Sequence, residues 1–209
     1  MKMKLKNLFG ILALAAPAVV LAGSASAVRQ DFCVDSGGDS GCSRYDTTIT
    51  VTVNIDPADV GKPGAFFIGA RETNGQPGYT NNINQATVAM WLLTPTEGWV
   101  GFNGGRYEPF EISNAMPARR VIVPINRQDL CQFIGYNRNI ELWAGYGVLS
   151  ADKERAVNEF HRINNPRIPP EHIRGVYVYD DMKSGQKYWN VLNAIGCNPY
   201  YQPSDGGGG

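Results

Sequence analysis

Four cysteines, Cys33, Cys42, Cys131 and Cys197, carry the most defined chemistry in this 209-residue chain. Four thiols offer either a tetrahedral zinc site or a pair of disulfides. Structural zinc sites draw their sulfurs from closely spaced Cys-x-x-Cys-type pairs, and no such pair is present. An even number of cysteines behind an export leader favours disulfides instead. Sequence leaves the pairing open. The expected pairs are Cys33–Cys42, closing a Gly-, Ser- and Asp-rich loop that turns easily, and Cys131–Cys197, tying the C-terminal segment back to the body.

Acid–base chemistry has Glu97, Glu108 and Glu111 to draw on, around Trp99 and Tyr107. A glycosidase needs two carboxyl groups about 5–10 Å apart across a cleft, and sequence neighbours do not establish that spacing. His161 and His172 fit no local metal motif and read as partly exposed structural residues. Gly38-Asp39-Ser40-Gly41 resembles the segment around the nucleophile of chymotrypsin-like proteases. The rest of that pattern is missing. The family places its His and Asp before the Ser and Gly-Pro after the motif, whereas here Cys42 follows and both histidines come far later. The segment therefore reads as a disulfide-closed turn. Asp35 and Asp39 in that loop offer oxygens to calcium, without the spacing or terminal Glu of an EF-hand. No nucleophile elbow, His-Glu-x-x-His helix or phosphate-binding loop is present. The expectation is a chain with no catalytic residue, no metal and no cofactor.

Aromatic residues are the stronger signal for binding. Trp91, Trp99, Phe102, Tyr107 and Phe110 are concentrated in one stretch, and Trp143, Tyr146, Tyr177, Tyr179, Tyr188 and Trp189 fall on later strand candidates. Rings on a flat strand face stack on sugars or anchor protein interfaces, though the same rings also fill sandwich cores. If Val176 and Val178 point inward from a strand, Tyr177 and Tyr179 form an exposed pair. Trp99, Tyr107, Tyr177 and Tyr179 are the candidate binding residues.

Residues 1–27 read as a secretory leader. Lys2, Lys4 and Lys6 precede an apolar run from Leu8 to Leu21, and Ala25-Ser26-Ala27 offers a small-residue cleavage site. The run falls short of the about 20 residues a membrane helix needs, and no later segment reaches that length, so no membrane span is expected after cleavage. Leu21-Ala22-Gly23 is followed by Ser24, not by the Cys a lipid anchor requires. The leader removes three of the 19 basic residues and none of the 19 acidic ones, leaving 16 against 19. A mildly acidic chain whose one adjacent basic pair is Arg119-Arg120 is not expected to bind nucleic acid.

The elements that must position these residues are short and extended. Ile49, Val51, Val53 and Ile55 alternate with polar residues, which predicts a half-buried strand over 47–55. Further strands are expected over 65–70, 87–93, 99–102, 120–125 and 140–146, with a last hairpin formed by 176–179 and 187–192. One helix is expected over 150–163, capped by Ser150, with Asp152 and Glu154 in its first turn and Leu149, Val157, Phe160 and Ile163 on a buried side. The fold class is mainly β, an antiparallel β-sandwich, Ig-like or related, with that one helix. The expected organisation is a leader (1–27), a polar disulfide-looped segment (28–46), one sandwich domain (47–202) and a disordered Gly-rich tail (203–209). This pattern fits an exported, periplasmic or secreted, non-enzymatic protein that binds or assembles, with a protein partner or a second copy ahead of a glycan as its ligand. A carbohydrate-binding module is the alternative, and a hydrolase with a dispersed site the third reading.

Overall fold

Alternating β-branched residues drive the first sheet. In the computed structural model, which describes residues 22–36, 42–73, 90–102, 108–163 and 169–198, Ile49, Val51, Val53 and Ile55 are all buried. In chain order the elements are β1 (Ser24–Ser36), β2 (Cys42–Asn54), β3 (Gly64–Glu72), β4 (Met90–Thr94), β5 (Gly98–Gly101), β6 (Glu111–Ser113), β7 (Arg119–Asn126), α1 (Arg127–Ile134), β8 (Asn139–Val148), α2 (Ala151–Ile163), α3 (Pro170–Ser184) and β9 (Tyr188–Gly196). The protein is mainly β, with two antiparallel sheets stacked as a sandwich. One sheet has the order β1-β2-β7; the other runs β5-β4-β3-β8-β9, with β6 also paired to β3.

The main core lies between the sheets. Phe66, Ile68 and Ala70 of β3 and Ile140, Leu142, Ala144 and Tyr146 of β8 meet Ile49, Val51, Val53 and Ile122 there. Strand alternation sends the intervening residues to the opposite face of the larger sheet. On that face Ala65 and Phe67 form a second apolar cluster with Leu149, Val178 and Met182, beneath α3. The helix comes this close because β8 carries glycines there. A Cβ at Gly145 would lie 2.7 Å from the Met182 sulfur, and one at Gly147 would run into the Val178 carbonyl. The layers are therefore small sheet, core, large sheet, second core, helix.

Both expected disulfides are present, Cys33–Cys42 and Cys131–Cys197. The first joins β1 to the start of β2. The second joins α1 to the residue after β9. Arg127, buried at the start of α1, reinforces that closure by donating from Nε (2.9 Å) to the Gly196 carbonyl and from Nη2 (2.8 Å) to the Asn198 carbonyl. The expected turn at Gly98 (φ +70°) joins β4 to β5.

Five expectations need correction. Residues 28–46 are not a polar lead-in; most of them belong to β1 and β2, paired in one register from Ser24↔Asn54 to Cys33↔Tyr45 and, after register shifts, on to Ser36↔Cys42. Their polarity reflects an edge strand with one face in water. Val176–Tyr179 is not a strand. It lies inside α3, which starts with Pro170 in the first helical position, where its missing N–H costs nothing, and buries Gly175, Val178 and Met182 at helical spacing. β9 pairs with β8 instead of with a neighbour hairpin strand. α1 was not anticipated; Asn126 caps it by accepting from the Gln128 N–H at 2.8 Å. In α2, Ser150 caps as expected, accepting from the Lys153 N–H at 3.3 Å, and Val157 is buried. Phe160 and Ile163 are exposed, because α2 packs on α3 and not on the sheet. The tail at 203–209 lies outside the described residues, as does the leader up to Leu21.

Candidate functional site

α3 covers only part of the outer face of the large sheet. The uncovered part forms a groove of about 360 Å³ between β3, β4, β8, the start of β9 and the C-terminal half of α3. Alternation puts Phe67, Gly69 and Arg71 of β3 and Trp143 and Gly145 of β8 on this face. One wall is a cluster of rings: Tyr179 of α3 meets Phe67 edge-on at 5.6 Å and Phe102 at 5.8 Å. The other wall is Trp143 against Tyr188, 6.0 Å apart. Gly69 lies between them, opposite Trp143 in the sheet. A Cβ there would find nothing nearer than 3.4 Å, so the missing side chain is what leaves the groove open.

The rim carries charge. Arg71 bonds Glu141 (Nη2–Oε2 2.8 Å, Nε–Oε2 3.0 Å) and lies over the Trp143 ring at 5.4 Å. The Trp143 indole N–H donates to the same Glu141 oxygen at 3.1 Å. These contacts fix the orientation of the Trp143 ring and consume the Glu141 carboxylate. Lys183, exposed in the last turn of α3, reaches over Tyr179 with Nζ 5.9 Å from the ring centre. With Glu141 offsetting Arg71, Lys183 leaves a net positive charge among the described residues that line the rim. An aromatic trough with a cationic edge suits a flat or aliphatic body bearing a negative group.

A second cluster lies behind the groove. Lys187 Nζ bonds Asp59 Oδ2 at 2.7 Å and Asp181 Oδ2 at 2.8 Å, above the ring of the fully buried Tyr146. The Tyr146 hydroxyl donates to Asp59 (3.2 Å) and accepts from the Asp56 N–H (3.0 Å), while Asp181 also accepts from the Val148 N–H (2.9 Å). Burial alone would lower the Lys187 ammonium's pKa, but the two carboxylates outweigh it and hold the group above its ordinary range. Burial would likewise raise Asp59, yet the bonds from Lys187 and Lys62 hold it below the usual carboxylate range. Burial pushes the Tyr146 phenol up to about 12, against the Asp56 bond. Lys187 is thus a firmly protonated cation, the opposite of a lysine activated as base or nucleophile. The cluster clamps the 56–62 turn, β8, α3 and β9 together.

The sequence-derived candidates fare unevenly. Trp99 is 5% exposed; it stands opposite Leu93 in the β4–β5 hairpin and points into the main core, so it offers no ring to a ligand. Tyr107 lies outside the described residues, as do Asp39 and Ser40. Tyr177 and Tyr179 are not a pair on a strand: both are part-buried on α3, Tyr177 beneath Lys153 (4.8 Å), Tyr179 at the groove. Glu111 is bound by Arg120 (Nη2–Oε2 2.6 Å), the second residue of the basic pair at the start of β7. Among the described residues no three His, Cys, Asp or Glu side chains gather as a metal site requires. The groove residues that sequence reading passed over, Phe67, Gly69, Arg71 and Lys183, are legible only as the alternate positions of a strand and one turn of a helix it mistook.

No protein-family model, curated protein or solved structure matches this chain.

Proposed function

We propose that this is a non-catalytic binding protein of an oxidising compartment outside the cytoplasm, and that the groove takes a small organic anion with an aromatic or aliphatic body. The carrying observation is the pair of aromatic walls about Gly69, with Lys183 and Arg71 at the rim. The volume falls in the range of small-ligand sites, which start near 300 Å³. Its concavity favours a small molecule over the flat protein interface expected from sequence. Binding, not catalysis, is supported by the state of the described lining groups: Glu141 is committed to Arg71 and Trp143, and the other titratable groups among the described residues are tyrosines, Arg71 and Lys183. The two disulfides support the compartment.

The test uses anilinonaphthalene sulfonate and its uncharged counterpart N-phenylnaphthylamine, followed by dye fluorescence. The sulfonate should saturate one site and bind about five- to tenfold more tightly than the neutral dye, the effect of one partly exposed charge-assisted contact. Lys183→Gln should erase most of that difference. Gly69→Leu should abolish both signals while circular dichroism and the urea midpoint hold. Undiminished dye binding by Gly69→Leu rules the groove out. Gly69-dependent binding of oligosaccharides with no response to the sulfonate would move the assignment to a carbohydrate module.

A further inference from the structure

We infer that the leader of this chain is removed after Ala22, just ahead of β1, and not after Ala27. The inference rests on reading the chain as exported. Cleavage by a signal peptidase adds water across the Ala22–Gly23 peptide bond, leaving the carboxylate on Ala22 and a free amine on Gly23.

The geometry that points there is the start of β1. Ser24, Ala25, Ser26 and Ala27 pair in register with Asn54, Val53, Thr52 and Val51 of β2. Ala25 and Ala27 pack against the main core, where Val51 and Val53 are wholly buried. The Asn54 side-chain amide donates to the Ser24 hydroxyl at 3.0 Å. Gly23 passes so close to the buried phenol that a Cβ on it would lie 3.1 Å from Tyr146 Oη and 3.2 Å from the Asn54 carbonyl. A chain beginning at Val28 lacks all of this. The β2 backbone from Val51 to Asn54 loses its partner on that side, two buried valines lose their alanine cover, and the Tyr146 hydroxyl loses the main chain beside it.

Cleavage precedes folding, so both sites are sterically open when the peptidase acts, and local sequence must distinguish them. Ala22 places a small residue at the cut, immediately after the apolar run that ends at Leu21, with Val20 two positions earlier. Ala25-Ser26-Ala27 has a second reason for its composition. Small alanines fit against the core on one face of an edge strand, and serines suit the wet face.

The experiment is the intact mass of the protein recovered from the periplasm of a Gram-negative host expressing the full-length chain with its own leader. A mass for Gly23–Gly209 is the expected result. A mass for Val28–Gly209 overturns the inference and leaves the export reading standing. Recovery only of the chain from Met1 overturns both. Ala22 is exposed, so Ala22→Leu perturbs the cut without touching the core. The Gly23 species should disappear in that variant, with precursor or a Val28 species in its place. Its persistence would show trimming by another route and would also overturn the assignment.

Discussion

Lys187→Met tests the clamp behind the groove. The substitution keeps the apolar stem over Tyr146 and removes the charge that faces Asp59 at 2.7 Å and Asp181 at 2.8 Å. At an effective dielectric of about 20, each contact is worth about 6 kcal/mol of gross Coulomb energy. Desolvation of the three groups offsets most of it, and removing one partner of such a pair typically costs about 3–5 kcal/mol. Asp59 keeps Lys62 at 3.0 Å, but that lysine is half-exposed and screens the buried carboxylate poorly. The expected loss is therefore near the lower end, about 3 kcal/mol at neutral pH. Urea unfolding under oxidising conditions, followed by the fluorescence of the four tryptophans, among them Trp189 stacked on Tyr146 at 6.2 Å, reads it as a midpoint drop of about 1–2 M. The pH dependence is the sharper signature. Lys187 is raised in the folded state, so its contribution is complete below the unfolded pKa near 10.4 and disappears as pH climbs through the folded value. Asp59 is lowered, so its contribution is complete above about 3.9 and disappears as pH falls through the folded value. The gap between wild type and variant should be a plateau from about pH 4 to about pH 10.5 that narrows at both ends. A gap below about 1 kcal/mol at neutral pH, or one of equal size at pH 3 and pH 7, refutes the reasoning.

Tyr146→Phe removes the acceptor of the Asp56 N–H and a donor to Asp59, at a cost of about 1–3 kcal/mol at neutral pH. Because burial raises the phenol to about 12, the wild type loses about 3 kcal/mol as pH rises from about 10 to about 12, and the phenylalanine variant escapes that part of the loss. Urea midpoints taken between pH 8 and 11.5 should converge; parallel alkaline limbs would contradict the assignment. The two disulfides should differ in both lability and weight. Cys131 and Cys197 are buried and Cys33 is exposed, so mild reductant should open Cys33–Cys42 first, as mass mapping of alkylated thiols would reveal. Replacing Cys131 and Cys197 by alanine should cost about 4 kcal/mol for a separation of 66 residues, against about 3 for the 9-residue loop of Cys33–Cys42. Equal urea midpoints for the two alanine pairs would argue against a loop-entropy origin.

The strands of the core were legible because each announces itself locally. Ile49, Val51, Val53 and Ile55 need no knowledge of the rest of the chain to share a face. α3 was misread for an equally local reason. Val176-Tyr177-Val178-Tyr179 alternates like a strand and is rich in residues that favour one, whereas its helical burial at Gly175, Val178 and Met182 depends on glycines of β8 thirty residues earlier in the chain making room. That single error also misplaced the tyrosine pair, and with it the groove wall formed by Tyr179. Trp99 failed differently: its ring looks the same in sequence whether a second sheet lies over it or water does.

From sequence by itself came the mainly β class, most of the strands of both sheets, the capped start of α2 and the use of the four cysteines as two disulfides, whose pairing only the structure decided. Those features depend on interactions between near neighbours or on simple elimination. Tertiary structure alone decided that β1 exists as an edge strand reaching back to Ser24, that Trp99 is covered, and that Gly69 stands open between two aromatic walls. Exposure and concavity belong to what is packed alongside a residue, and at the groove β3 meets β8 and α3, which come far later in the chain.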